Sequence, residues 1–210
     1  MAEELRGYVV IDTETTGLNR DRKDRIAELA VATFDTDFNL TGKYETLLNP
    51  ERDLGPTSLH GISAEMVSAA PRFADIKDSL TQLLHGRILI GHSVRFDLKI
   101  LEDEYSRLGS EFLWKKAHRD TFLLALSLKL PVSDYKLGSL CEHFGIRLDN
   151  AHTAMADVMA TAELFPILTG LKGNGFASDR VPFQSSLMSF DCPEYSCWLS
   201  RQMVLESTTL

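Results

Sequence analysis

Cysteine is scarce in this chain, with three residues among 210. Cys141, Cys192 and Cys197 are odd in number and lack the spacing of metal ligands, so we expect neither a disulfide framework nor a zinc site. No apolar run approaches the ~20 residues of a membrane span, and the opening MAEELRGYVV lacks the charged-then-apolar pattern of a signal peptide. These absences predict a cytoplasmic protein.

The chain also lacks an excess of positive charge. It has 22 Lys and Arg residues against 30 Asp and Glu residues, which gives a formal net charge of -8. This balance argues against a broad basic surface that grips a nucleic-acid backbone non-specifically. Nucleic acid is still possible as a substrate, because an acidic site can hold divalent cations that meet the phosphate.

Two familiar signatures are incomplete. GNGFAS at 173–178 lacks the third glycine of a dinucleotide-binding fingerprint and follows a helix-like segment. HRD at 118–120 resembles part of a kinase catalytic loop, but neither a glycine-rich loop on a first strand nor a DFG accompanies it. We therefore expect a flexible turn at the first and a helix cap at Asp120 in the second.

The order of strand-like and helix-like patterns predicts the fold class. Strands are predicted at 7–12, 26–35, 43–50 and 87–91. Helices are predicted in SLHGISAEMVSAA and FADIKDSLTQLL, along the stripe of Val94, Leu98, Leu101, Tyr105 and Leu108, in TFLLALSL, over 136–144 and over about 153–168. Strands first and then alternation indicate an α/β sheet with helices on its faces. Because the composition changes after Gly170, we assign 1–170 to one domain and 171–210 to a linker and C-terminal tail.

Two carboxylates stand at the end of the first predicted strand, in VVIDTETTGLN. Strand side chains alternate between faces, so Asp12 and Glu14 can project from the same side at the strand's carboxyl end. Open α/β sheets usually bind ligands at that edge. Alternatively, Asp12 begins a turn with Gly17 and Glu14 is only solvated.

A third acid lies at the edge of an apolar helix stripe, in GHSVRFDLKIL. Asp97 is close to one turn from Leu101, and a carboxylate half inside a core face costs free energy unless it is paired or bound to a cation. A salt bridge to Arg95 is the alternative. Residues two apart on a helix point in different directions, however, so the partner would have to be remote.

The third motif, AHTAMADVMATAELF, combines a histidine with a fourth acid. At roughly 100° per residue His152 and Asp157 do not share a helical face. We therefore place His152 in the loop before a helix and Asp157 one turn inside it, although a histidine at a helix start can also be purely structural. Small residues around Asp157 would let the helix approach a sheet closely: Thr153, Ala154, Ala160 and Thr161.

In this order the four acids and the histidine resemble the DEDDh family of 3′-to-5′ exonucleases, a ribonuclease H-like group that includes the proofreading subunit of bacterial replicative polymerases. The resemblance runs from about Tyr8 to Leu168. It rests on IDTETTGL, GHSVRFDLKIL and AHTAMADVMATAELF, supported by LHGIS, RDT and KLGSLCEHFGI. Ser93 and Thr153 depart from it, since asparagine and arginine are usual there, and these departures bear on the substrate subtype.

The resemblance implies a ribonuclease H-like mixed sheet flanked by helices and a site for two divalent cations, Mg²⁺ or Mn²⁺. Such hard ions prefer oxygen ligands. Asp12 would bridge the ions, Glu14 and Asp157 would complete one site, and Asp97 would support the other. His152 would be the general base that takes a proton from the attacking water.

The resemblance also implies a seat for the terminal nucleotide in the turn after the first strand. This turn contains Thr15, Thr16, Gly17 and Leu18. The glycine would permit close approach of the backbone, and the leucine would wedge against a base. Phe96 is a candidate second wall by stacking, and the alternative is that it is a core aromatic.

These roles predict an exonuclease that releases 5′-mononucleotides from single-stranded 3′ ends in proofreading or DNA repair, with DNA favoured over RNA. One alternative is an exoribonuclease or oligoribonucleotide hydrolase of the same fold. Another is a non-catalytic subunit that binds a polymerase.

In the tail, Gln184, Leu187 and Phe190 are spaced like peptides that dock on sliding clamps. The alternative, which we favour, is that this segment packs back onto the domain or forms a dimer contact.

Overall fold

The computed structural model describes residues 5–17, 24–55, 57, 60–113, 118–148 and 153–170. Its strands are β1 (Gly7–Thr15), β2 (Ile26–Phe34), β3 (Leu40–Leu47), β4 (Arg87–Gly91) and β5 (His118–Asp120). Its helices are α1 (Ala64–Ser68), α2 (Phe73–Leu84), α3 (Arg95–Arg107), α4 (Thr121–Ser127), α5 (Leu137–Phe144) and α6 (Ala154–Thr169). Leu18, His152 and the tail lie outside the described residues, so what the sequence predicts for them stays a prediction.

Within the described residues five strands form one mixed sheet in the order β3-β2-β1-β4-β5. The first three strands are an antiparallel meander, whereas β4 pairs parallel to β1 and β5 pairs parallel to β4. A parallel pair needs a long crossover connection, and the segment that carries α1 and α2 provides it between β3 and β4. The predicted mixed sheet flanked by helices is confirmed.

Alternation along β1 decides which helices its side chains meet. Val9 packs with buried residues of α2 and α3 on one face, and Val10 packs with α6 on the other. By the same alternation Thr13 faces α3, while Asp12 and Glu14 face α6. The last residues of one strand therefore supply polar groups to both faces of the sheet.

Small residues let α6 lie close to the sheet. Ala154, Val158 and Ala162 of the helix form one buried cluster with Ala30 and Ala32 of β2. Of the residues predicted to make this approach, Ala154 does face the sheet. Ala160 instead packs with the cluster that includes Leu140 and Cys141 of α5. One helix therefore covers the sheet and supports α5.

The structure differs from the sequence prediction at five places. The strand predicted at 43–50 is β3, which spans Leu40–Leu47, and the helix predicted in SLHGISAEMVSAA is limited to Ala64–Ser68, because Ser63 caps its start. The first strand does not end at Asp12, because ladder pairing with β2 continues to Thr15. The strand β5 was not predicted, since three residues are too few to show a periodicity. Leu108, predicted on the buried stripe of α3, is the C-cap of that helix and is 41% exposed.

Helix boundaries follow local capping chemistry. The Asp120 side chain accepts hydrogen bonds from the backbone N–H groups of Phe122 and Leu123, which confirms the predicted cap of α4. Gly145 ends α5 in the left-handed conformation, with a φ of 68°. In the part of the chain that is described, no helix combines the length and the apolar character needed to cross a membrane.

Candidate active site

The four acids singled out in the sequence lie near one another. Asp12 and Glu14 stand at the end of β1 on the face covered by α6, and Asp157 lies in the first turn of that helix. Asp97 lies in the first turn of α3, which follows the neighbouring strand β4. The charges of the other three acids all act on Asp12. Elements distant in sequence therefore converge on the carboxyl end of β1.

Burial and mutual repulsion make it costly to ionise these groups together. Burial raises the pKa of Asp12 well above its ordinary range, and the charges of Asp97, Asp157 and Glu14 raise it further. Burial is also the main cause that raises the pKa of Glu14 to about 7, followed by the charge of Glu28. A cation placed among these carboxylates would offset both effects.

Asp97 is the most enclosed of the four acids, with 3% of its surface exposed. The Thr13 hydroxyl donates a hydrogen bond of 2.7 Å to its Oδ1 atom. Burial raises the pKa of Asp97 to about 7, and the hydrogen bond from Thr13 opposes that rise. Thr13 thus gives Asp97 a hydroxyl partner from the face of β1 opposite to Asp12 and Glu14, which orients the carboxylate without neutralising it.

Glu28 is a fifth carboxylate at this site, and the sequence prediction missed it. It lies on β2 directly across the antiparallel ladder from Glu14, and its charge raises the pKa values of Glu14 and Asp12. Its Oε2 atom accepts a hydrogen bond of 3.3 Å from the Ala154 backbone N–H at the start of α6. The one signal in the sequence was a lone acid within the apolar strand IAELAVATF.

The first turn of α6 fixes the position of Asp157. The Thr153 side chain is the N-cap and accepts a hydrogen bond from the Ala156 N–H, while the Asp157 N–H donates to the Thr153 carbonyl at 3.2 Å. Two early N–H groups of the helix, those of Ala154 and Ala156, thus have side-chain acceptors. The segment that carries His152 directly precedes this turn and is not described.

The turn after β1 is held by its own threonines. The Thr15 hydroxyl donates to the Gly17 carbonyl at 2.8 Å. The Thr16 hydroxyl donates to Asp24 at 3.3 Å and accepts from the Arg25 N–H at 3.1 Å. Both threonines are buried, and a Cβ on Gly17 would lie 2.9 Å from an Asp24 oxygen. The two hydroxyls therefore maintain the shape of the turn.

An ion pair between the partly buried Arg25 and the buried Glu104 supports this turn. Glu104 of α3 is 1% exposed, and its Oε1 atom accepts from the Arg25 Nε at 2.7 Å and from the Ile26 N–H at 3.3 Å. Arg107 contacts the same oxygen at 3.4 Å and donates to the Asp24 carbonyl at 3.0 Å. Asp24 and Arg25, which both hydrogen-bond to Thr16, are thereby connected to α3.

Phe96 lies on the surface beside the buried Asp97. It is 38% exposed, which is inconsistent with the alternative of a core aromatic. The turn before it holds Ser93 in the left-handed conformation, with a φ of 60°. The Asp120 side chain accepts the Ser93 N–H at 3.0 Å and so anchors the turn.

His60 and His92 have structural partners. The His60 Nδ1 atom accepts from the Ile62 N–H at 3.0 Å, so its Nε2 atom carries the proton that is shared with the Leu54 carbonyl at 3.2 Å. The His92 ring contacts the Thr121 hydroxyl at 2.9 Å and the Tyr135 carbonyl at 3.0 Å. Hydrogen bonds within the fold thus hold both rings in place.

The donor set fits a hard divalent cation in its chemistry, since it consists of carboxylate oxygens without sulfur ligands. Among the residues that the structure describes, no three acidic, histidine or cysteine side chains converge closely enough to hold an ion as they stand. Thr13 holds the Asp97 carboxylate, so binding of an ion would require small side-chain movements.

Comparisons with known proteins identify the family of the chain. An RNase T-type family model, described as an exonuclease, matches residues 9–165. The DNA polymerase III subunit epsilon of Rickettsia typhi is 31% identical over 210 residues, which covers 95% of this chain and 90% of that protein. The corresponding subunit of Treponema pallidum is 32% identical, and the match covers 75% of this chain and 74% of that subunit. An epsilon-like protein of Rhodobacter capsulatus is also 32% identical, but the match spans 25% of its length.

Solved structures share the fold. E. coli exonuclease I, in complex with a dA16 oligonucleotide, has a TM-score of 0.69 at 22% identity, over 79% of this chain and 41% of that one. Exonuclease X, in complex with 5′ overhanging duplex DNA, has a TM-score of 0.63 at 23% identity, over 79% of this chain and 93% of that one. At such identities the likeness establishes the ribonuclease H-like fold alone.

The sheet, its acidic edge and the family match together define a nuclease of the exonuclease type. The chain belongs to the DEDDh family of 3′-to-5′ exonucleases. The resemblance drawn from three sequence motifs is thereby confirmed.

Proposed function

We propose that this chain is a divalent-cation-dependent 3′-to-5′ exonuclease that hydrolyses single-stranded 3′ ends and releases 5′-mononucleotides, with DNA favoured over RNA. The catalytic unit is residues 1–170. The observation that carries the proposal is the convergence of Asp12, Glu14, Asp97 and Asp157 at one sheet edge. There burial raises the pKa values of Asp12, Glu14 and Asp97, and neighbouring carboxylates raise those of Asp12 and Glu14 further. Crowding gives carboxylates with a purely structural role no gain in stability, whereas perturbed pKa values are typical of functional sites.

The chemistry of the donor set favours two cations, Mg²⁺ or Mn²⁺. Bound there, they would supply charge neutralisation at the phosphate and at the departing 3′ oxygen. Asp12 would be shared between them, Glu14 and Asp157 would serve one, and Asp97 would serve the other. His152 would accept the proton of the attacking water, because it precedes the turn that positions Asp157.

The terminal nucleotide would lie between the turn at Thr15–Gly17 and the exposed ring of Phe96. The threonine hydroxyls are engaged within the turn, so the turn would meet the nucleotide mainly through its backbone and through Leu18. Gly17 keeps the backbone accessible, because any side chain there would collide with Asp24. Phe96 would stack on a base.

A time course with 5′-end-labelled oligomers tests the proposal. Matched DNA and RNA strands are compared as single strands, as duplexes and as duplexes with a mismatched 3′ end, with Mg²⁺, Mn²⁺ or a chelator. We expect stepwise shortening from the 3′ end that requires a cation, with single-stranded and mismatched DNA degraded fastest. Faster hydrolysis of RNA would favour the exoribonuclease alternative. No hydrolysis of any substrate by folded protein would contradict the proposal and favour a non-catalytic subunit.

We also propose a polymerase-type partner, because relatives of similar length are named as subunits of DNA polymerase III. The tail 171–210, with Gln184, Leu187 and Phe190, is the candidate docking segment for a polymerase or sliding clamp. Deleting 175–210 should abolish pull-down of such a partner and leave the hydrolysis of short oligomers intact. Loss of basal hydrolysis on that deletion would show that the segment belongs to the fold.

A further inference from the structure

Glu28 lies at a strand position where an apolar residue would cost less free energy. It lies opposite Glu14 in the antiparallel pair of β1 and β2, on the face covered by α6. Like charges directly opposite one another destabilise a sheet. The residues on either side of it in the strand, Ala27 and Leu29, are fully buried and apolar. A carboxylate at this position therefore needs a compensating role.

The hydrogen bond between Glu28 and α6 supplies that role. Its Oε2 atom accepts the Ala154 N–H at 3.3 Å. Ala154 is the first residue of the helix, so its N–H has no acceptor within the helix. Asp157 follows three residues later, on the same side of the helix as the anchored amide.

The ladder places this anchor next to the acids of β1. Pairing is regular from Tyr8 to Glu14 and shifts between Glu14 and Thr15, so Glu28 lies at the last regular pair beside the site. A bulge at such a place changes the direction in which the following side chains point. Glu28 thus connects three parts of the site: the partner strand of Glu14, the bulge, and the helix that carries Asp157.

We propose that Glu28 is a positioning residue that fastens the first turn of α6 to the sheet and so holds Asp157 against Asp12 and Glu14. This inference rests on the proposed function. The feature that Glu28 contributes is a hydrogen-bond acceptor of the right length, and its negative charge is not required. Glutamine keeps the length and an acceptor oxygen, aspartate keeps the charge but is shorter, and alanine has neither.

The test compares Glu28→Gln, Glu28→Asp and Glu28→Ala with matched Glu45 variants. Glu45 is an exposed glutamate on the adjacent strand β3. We expect Glu28→Ala and Glu28→Asp to lower kcat about 10- to 100-fold, as loss of a supporting contact does, with KM for the oligomer nearly unchanged. Glu28→Gln should retain kcat within about threefold, and the Glu45 variants should match wild type.

Hydrogen exchange in the cation-free protein gives a second, activity-independent measurement. The Ala154 amide should exchange at least about tenfold faster in Glu28→Ala and Glu28→Asp than in wild type, and at the wild-type rate in Glu28→Gln. If Glu28→Gln loses as much activity as Glu28→Ala, the charge is what matters and the proposal is wrong. Unchanged exchange and unchanged kcat in Glu28→Ala would also overturn it.

Two features keep the test decisive. If Glu28→Ala does not fold, the aspartate and glutamine variants still separate the effect of side-chain length from that of charge. If wild type has no nuclease activity, the proposed function fails, while exchange at Ala154 still reports whether Glu28 anchors the helix.

Discussion

The Thr13 hydroxyl donates a 2.7 Å hydrogen bond to the carboxylate of Asp97, from the face of β1 opposite to Asp12 and Glu14. Successive residues of a strand point to opposite faces, so residues 12 to 14 reach both α6 and α3. Asp97 is thereby oriented by the same strand that carries the other two acids. One strand therefore helps to set the positions of three of the four acids.

Replacement of Thr13 by valine should therefore weaken both stability and activity. The change keeps the shape but leaves a buried carboxylate without its hydroxyl donor, which costs about 1–3 kcal/mol. We expect a lower free energy of unfolding in denaturant titrations and a lower kcat. Thr46→Val is the control, since Thr46 is a buried threonine of the same sheet whose hydroxyl donates to the Leu47 carbonyl. An equal loss of kcat in both variants would mean that Thr13 has no specific effect on Asp97.

Neutralising Glu14 should stabilise the cation-free protein in a pH-dependent way. Burial and neighbouring carboxylates raise the pKa of Glu14 from 4.5 to about 7. The folded protein therefore holds this proton more tightly than the unfolded chain, and the associated stability is lost as pH rises from about 4.5 to about 7. In the presence of chelator Glu14→Gln should have a higher Tm than wild type at about pH 8 and nearly the same Tm at about pH 4. A difference independent of pH would contradict this, and Glu45→Gln is the control.

Asp12→Ala should remove hydrolysis and leave the protein folded. The residue is the proposed shared ligand, for which the site has no substitute, and its loss also removes repulsion among the remaining acids. Thermal unfolding should show that Mg²⁺ or Mn²⁺ raises the Tm of wild type by mass action and has little effect on the variant. More than trace turnover in Asp12→Ala under saturating cation would refute the ligand assignment.

His152→Ala should lower turnover by about 10²-fold or more, the loss expected when a general base is removed. Raising the pH should restore part of the rate, because hydroxide then becomes available without the imidazole. Calorimetry should show that cation affinity is largely kept. A collapse of that affinity would instead make His152 a ligand.

Breaking the buried pair of Glu104 and Arg25 should destabilise the protein strongly. Glu104→Ala removes the acceptor of the Arg25 Nε and of the Ile26 N–H, at a cost of about 3–5 kcal/mol, although Arg25 keeps its 3.5 Å ion pair with Glu51. The surface pair of Lys99 and Glu102, at 3.8 Å, is the control, and Glu102→Ala should cost about 1 kcal/mol or less. Urea titrations measure both, and equal losses would mean that the buried pair contributes no more than the exposed one.

Much of the fold was predictable because it is encoded locally. Alternating and helical patterns identified four of the five strands of the described residues and the main helices, and Asp120 and Gly145 fixed helix ends by capping rules that act within a few residues. The strand β5 was missed because its existence depends on pairing with β4. The length of β1 was underestimated because the ladder with β2 stabilises its last residues, whatever their side chains.

The sequence by itself determined which residue types the protein supplies to the candidate site: four acids in three motifs, of which Asp97 lies where an unpaired carboxylate is costly. Only the tertiary structure decided which groups act on one another. Thr13 and Asp97 are 84 residues apart in the chain, and Glu28 and Ala154 are 126 apart, so no local pattern could have paired them. Register and helix packing set these contacts, because a one-residue slip of a strand would turn every side chain to the other face.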